Sequence, residues 1–156
     1  MILLLGSSFV GKTYLVQSLV AFCNRQASSF IFTSPTTGRE TTTLSNSSAS
    51  AQIVEIGSSL LPIWTNFVGN IVRFLLVYDP HNAKSVSCVI SLFQTLTVLP
   101  NSSQFEILLV VNSFNTSFSD NEPPDLLKTI PVSSTFKSFA CVNIKELKKI
   151  NEWIFV

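Results

Sequence analysis

The residues with the most specific chemistry lie near the start of the chain. Gly6-Ser7-Ser8-Phe9-Val10-Gly11-Lys12-Thr13 matches G-x-x-x-x-G-K-[ST] in full. Each fixed position meets a physical need. Gly6 permits a tight turn off a preceding strand, and Gly11 lets backbone approach an anion where a side chain would collide. The loop N–H groups and the N-terminus of a following helix direct positive partial charge at phosphate. Lys12 adds a full charge near the outer phosphates, and the Thr13 hydroxyl can ligate magnesium. The chemistry expected is the binding of a nucleoside triphosphate with Mg2+; the plain alternative is a Gly-rich turn with no ligand. An acid on a neighbouring strand must then support the metal from the far side. Glu55, near the end of the apolar run 52–56, is the candidate, against the alternative of an ordinary strand-end charge. Its carboxylate reaches one methylene further than that of Asp, which leaves direct and water-mediated contact both open.

These residues need elements to hold them. Residues 1–5 form a short apolar run, and 13–24 carry Leu15, Leu19, Val20 and Cys23 at helical spacing. Residues 25–50 are rich in Ser and Thr and read as a long mobile loop, with an edge strand at 40–44. Apolar strands are expected at 52–56, 71–78, 106–111 and 138–142. Helices are expected at 83–99, 125–129 and 144–154, with loop and weak helix at 57–69 and a polar loop at 112–124. Strands apolar on both faces and separated by helices indicate an α/β fold. The expectation is a single domain, residues 1–156, with a mostly parallel central sheet and helices on both faces.

Composition excludes several classes. Of 156 residues, 46% are hydrophobic and 12% charged, so the chain is globular rather than disordered. A net charge of +1 gives no basis for binding nucleic acid or an anionic membrane. Cys23, Cys88 and Cys141 are far apart and His81 is alone, so no thiolate–imidazole metal site is expected. Reduced thiols, together with a start that lacks the pattern of a signal peptide, make a cytoplasmic location the expectation. One His and scattered acids give no Ser/His/Asp arrangement. Lys145, Lys148 and Lys149 read as the solvated face of a last helix.

The order of motifs is also informative. Gly6 to Thr13 is followed by Pro35-Thr36-Thr37-Gly38. Next comes Glu55-Ile56-Gly57-Ser58-Ser59 with Pro62-Ile63-Trp64, and then Asn112-Ser113-Phe114-Asn115. This order resembles the ADP-ribosylation-factor-like small GTPases over nearly the whole chain. The resemblance implies a small-GTPase-like domain that binds GTP or GDP with Mg2+. It implies that Thr36, in a first switch, joins Thr13 and Glu55 at the metal. It places Gly57 and Ser58 at the third phosphate, and Asn112, Ser113, Asn115 and Cys141 at the guanine. It also implies effector or regulator proteins that read the switches, in membrane or ciliary traffic. The family's amphipathic N-terminal extension has no counterpart here, so membrane association is expected through partners, with no direct anchor.

Four positions depart from the family pattern. Ser58 replaces a Gly whose N–H senses the third phosphate. Ser59 replaces the Gln that orients the attacking water, so little hydrolysis is expected. Ser113 replaces a Lys whose stem covers the base. Asn115 replaces an Asp, setting an NH2 donor against the guanine amino group, so that xanthine would fit Asn115 better. Two readings follow: a nucleotide-dependent switch, or a pseudo-GTPase scaffold with weak or no nucleotide binding. An ATP-dependent phosphotransferase is disfavoured, because Arg25, Arg39 and Arg73 are the only arginines available for a lid. Trp64, within the second switch, is placed where a partner could read it.

Overall fold

The computed structural model describes residues 1–25, 33–113 and 135–156. Six strands form one sheet: β1 (Ile2–Leu5), β2 (Arg39–Ser45), β3 (Ser50–Ile56), β4 (Arg73–Tyr78), β5 (Glu106–Val111) and β6 (Ser138–Asn143). Their order is β2-β3-β1-β4-β5-β6. β2 runs antiparallel to β3, and all other pairings are parallel. The helices are α1 (Lys12–Cys23), α2 (Ala83–Val98) and α3 (Leu147–Phe155), with 3-10 segments at Ser58–Phe67 and Ser102–Gln104.

The central strands lack alternation because they serve two cores. Leu3, Leu5, Phe74, Leu76 and Leu109 pack with Val89, Leu92, Phe93 and Leu96 of α2. Ile2, Leu4, Leu75, Val77 and Leu108 face the opposite side, with Leu15 and Leu19 of α1 and Ile150 and Ile154 of α3. Parallel strands covered on both faces are buried throughout, and this is the reason for their uniformly apolar runs. The fold is the expected α/β domain with helices on both faces.

Three local findings refine the expectations. The Ser/Thr-rich stretch is in part a hairpin. β2 pairs along its length with β3, and Asn46 Oδ1 closes the turn by accepting from the N–H of Ser48 (2.9 Å) and Ala49 (2.8 Å). Thr41, Thr42 and Thr43 suit a half-wet edge strand because they are β-branched. Trp64 is core rather than surface. It is 5% exposed and meets Phe74 edge-on at 6.4 Å, while its neighbour Ile63 is 47% exposed. α3 starts at Leu147 rather than 144, because Asn143 Oδ1 accepts from Lys145 N–H (3.0 Å) and turns the chain first. The expected helix 125–129 lies outside the described residues, as does the loop from 114 to 124.

Arg73 fastens the end of α3 to the start of β4. Its Nε pairs with Glu106 Oε2 at 3.0 Å, its Nη1 donates to Ile154 O (3.0 Å) and its Nη2 donates to Trp153 O. Its guanidinium lies 4.4 Å from the Trp153 ring centroid. This bracing is at the amino ends of the strands. The opposite, carboxyl ends carry the loops that build the site, as is usual for open α/β sheets.

Candidate functional site

β1 ends at Leu5, and the chain turns at once. Gly6 has φ 153°, and a Cβ there would lie 2.3 Å from Val77 O of β4. Gly11 has φ 91°, and its Cβ would lie 2.7 Å from Asn112 Nδ2. Neighbouring strands therefore demand both glycines independently of any ligand. Phe9, between them, holds φ 61° with its side chain 86% exposed. A non-glycine residue in this region costs about 1–2 kcal/mol, so the loop is held in shape by its surroundings.

Lys12 is 6% exposed, and its Nζ donates to Gly6 O and Ser7 O, both at 2.9 Å. Two of the three ammonium donors are thus used within the loop, and one remains for a ligand. Burial holds the Lys12 pKa below its ordinary value, and the Glu55 charge opposes that shift.

Thr13, Thr36 and Glu55 converge from three separate segments. Glu55 Oε1 accepts from Thr13 Oγ1 (2.8 Å) and Thr36 Oγ1 (2.9 Å), and the two hydroxyls stand 3.2 Å apart. Neighbouring ligands of an octahedral Mg2+ at 2.0–2.1 Å also stand about 2.9 Å apart. The spacing and the all-oxygen donor set therefore fit Mg2+. Among the described residues no cluster of three His, Cys, Asp or Glu offers a competing metal site. The cleft beside the three oxygens is lined by Ser8, Gly11, Lys12, Thr13, Pro35 and Thr36.

The residues after β3 tie the loop 33–38 down. Gly57 N–H donates to Gly38 O (2.7 Å), and a Cβ on Gly57 would lie 2.3 Å from Thr36 O. Ser8 Oγ donates to Ser58 Oγ at 2.7 Å, which places Ser58 on the cleft wall. Ser59 Oγ donates to Thr37 O at 2.6 Å. Its short side chain is therefore engaged with the neighbouring loop.

At the other end of the cleft, Asn112 follows β5 and is 8% exposed. Its Nδ2 donates to Val10 O (2.8 Å), while its buried Oδ1 has no partner among the described residues. Ser113 is 1% exposed. Asn115 lies outside the described residues. Cys141, expected at the base, is instead a mid-strand residue. It pairs in register with Leu109, two positions before the end of β6, and packs toward the α2 core. Burial pushes its thiol up to about 11. The strand end that adjoins Asn112 is Asn143-Ile144-Lys145. Val111 is in register with Asn143, and Ile144 N–H donates to Val111 O (2.8 Å). Ile144 Cδ1 would stand 3.6 Å from a Cβ on Gly11. The sequence signal for this turn was Asn143 itself, an Asx-turn residue just before the last helix.

No family model matches the chain, and no curated protein matches it. Among solved structures it is similar to the small GTPase Arl6 BBS3 from Trypanosoma brucei with bound nucleotide analogue GppNp. The TM-score is 0.70 and the identity 15%, over 98% of this chain and 93% of that one. At that identity the likeness is one of architecture. It spans the sheet, the helices and the loops at the strand ends, and by it the chain has the fold of the small GTPases.

Proposed function

We propose that this chain is a divergent nucleotide-dependent switch of the ADP-ribosylation-factor-like type. Within that family the segment 61–64, with Gly69-Asn70 and residues 75–79, resembles ADP-ribosylation-factor-like protein 16. The ligand the resemblance implies is a guanine nucleotide with Mg2+. The observation that carries the reading is the meeting of Thr13, Thr36 and Glu55 beside the buried Lys12. A loop whose hydroxyl reaches a metal–phosphate site is ordered differently by diphosphate and triphosphate, and that difference is what partners read. Mg2+, when bound, would neutralise phosphate charge. Lys12 would hold the outer phosphates, and the backbone of residues 7–11 would surround them. Ser59 cannot reach as Gln does, so hydrolysis is slow and the triphosphate state long-lived.

Calorimetric titration with GTP and GDP, with and without Mg2+, tests this reading. Binding that tightens with Mg2+ supports it, and no binding of either nucleotide at millimolar concentration overturns it.

A second reading, a scaffold with nucleotide-independent switches, draws on a separate observation. Ser8–Ser58 and Ser59–Thr37 bonds already join the two switch segments and the phosphate loop through side chains. Amide exchange across residues 33–59 separates the readings. Exchange that differs between the GDP and GTP states favours the switch; equal exchange favours the scaffold. Membrane or ciliary partners, reached from a cytoplasmic location, belong to this proposal as the resemblance implies them.

A further inference from the structure

The base end of the cleft carries a buried acceptor that demands a donor. Asn112 is fixed in orientation, because Val10 O must receive an N–H and therefore faces Nδ2 rather than Oδ1. That bond uses one amide hydrogen. The remaining edge of the amide offers one N–H beside one carbonyl oxygen. The oxygen is buried and has no partner among the described residues. A buried polar atom of this kind is costly unless a ligand satisfies it.

We propose that Asn112 selects a purine with an amino group at position 6, so that the site takes adenine nucleotides in preference to guanine nucleotides. This rests on the nucleotide reading above; it keeps the phosphate grip and the switch, and changes the base. Adenine presents the N6 amino donor next to the N7 acceptor, the pair that an Asn amide edge matches bidentately. Guanine presents O6 and N7, two acceptors, so its O6 would face Oδ1 with no hydrogen between them.

The turn after β6 supports the same choice. A 6-oxo group needs a donor at this end of the cleft. The Lys145 N–H, in the turn adjoining Asn112 and Gly11, is already given to Asn143 Oδ1 at 3.0 Å. Ser113 is 1% exposed, so its hydroxyl is not displayed at the surface of the cleft. The features that would reward an oxygen at position 6 are thus occupied or buried, and the one unsatisfied atom rewards an amino group.

The experiment changes the ligand and leaves the full chain intact. Dissociation constants are measured by calorimetry with Mg2+ for ATP, GTP, 7-deaza-ATP and purine riboside triphosphate, which lacks the 6-amino group. ATP is expected to bind about tenfold more tightly than GTP, and each ATP analogue to lose about tenfold, the scale of one buried hydrogen bond. GTP binding as tightly as ATP, or more tightly, overturns the proposal. Analogues that bind as well as ATP also overturn it, since the base edge would then not be read. If neither ATP nor GTP binds, and inorganic triphosphate fails as well, the nucleotide reading falls and this proposal falls with it. Tighter GTP removes only the base assignment.

Discussion

The two ends of the cleft differ in how far the protein satisfies itself. At the phosphate end nearly every polar group has a partner. Lys12 holds Gly6 O and Ser7 O, Glu55 gathers Thr13 and Thr36, and Ser8 meets Ser58. At the base end Asn112 Oδ1 is buried without a partner among the described residues. A self-satisfied wall can keep its shape without a ligand, whereas an orphaned acceptor favours whichever ligand completes it. The contrast teaches that an intact phosphate loop and an altered base pocket are separable, because different strand ends build them.

The largest effect is expected at the phosphate end. Lys12→Ala removes a buried charge and leaves two carbonyls without their donor, and should weaken triphosphate binding about 100-fold by calorimetry. An unchanged affinity would mean that the loop does not hold phosphate. Glu55→Gln should weaken Mg2+ binding in the nucleotide complex by about 10- to 100-fold, read by Mn2+ paramagnetic resonance. Equal Mn2+ affinity would leave the three oxygens as a hydrogen-bonded brace only.

At the base end, Asn115→Asp should tighten GTP by about tenfold, because an acceptor replaces a misplaced donor. Comparing GTP with XTP sharpens this, since the wild type should favour XTP and the variant GTP. A substitution with no effect on either nucleotide would remove Asn115 from the base. The smallest effect tests the correction at Cys141. Its thiol, raised to about 11, is neutral at pH 8, so alkylation should be slow there and rise with pH toward 11. Mass spectrometry after timed alkylation reports this at Cys141 directly. Rapid labelling at pH 8, suppressed by nucleotide, would return Cys141 to the ligand.

Much of this was legible in the residues. The eight-residue phosphate motif fixed a strand, a turn and a helix together, because only glycine tolerates the approach that Val77 O and Asn112 Nδ2 make to it. Doubly apolar strands indicated a covered parallel sheet. The edge strand was placed within a residue or so by its threonines. Trp64 was misjudged because composition does not tell which side of an irregular segment faces the core. At Ile63 the backbone leaves helical geometry, with φ −122° and ψ 17°. The tryptophan turns inward while Ile63 stays out. Cys141 was misplaced because a strand end is set by its hydrogen-bonded partner. β6 stays in register with β5 as far as Asn143, two residues beyond the cysteine.

The sequence by itself determined the kinds of atoms available. It supplied a buried lysine to grip phosphate, oxygens hard enough for Mg2+, and no glutamine to orient a water. These are properties of residue identity, and packing cannot create them. Only the tertiary structure decided which of those atoms meet. Thr13, Thr36 and Glu55 lie far apart along the chain and join because β1 and β3 pair in parallel and end side by side. The unpartnered oxygen of Asn112 is likewise a fact of geometry, because whether an amide is satisfied depends on every group around it. Composition names the donors and acceptors, and the fold decides which are left for a ligand.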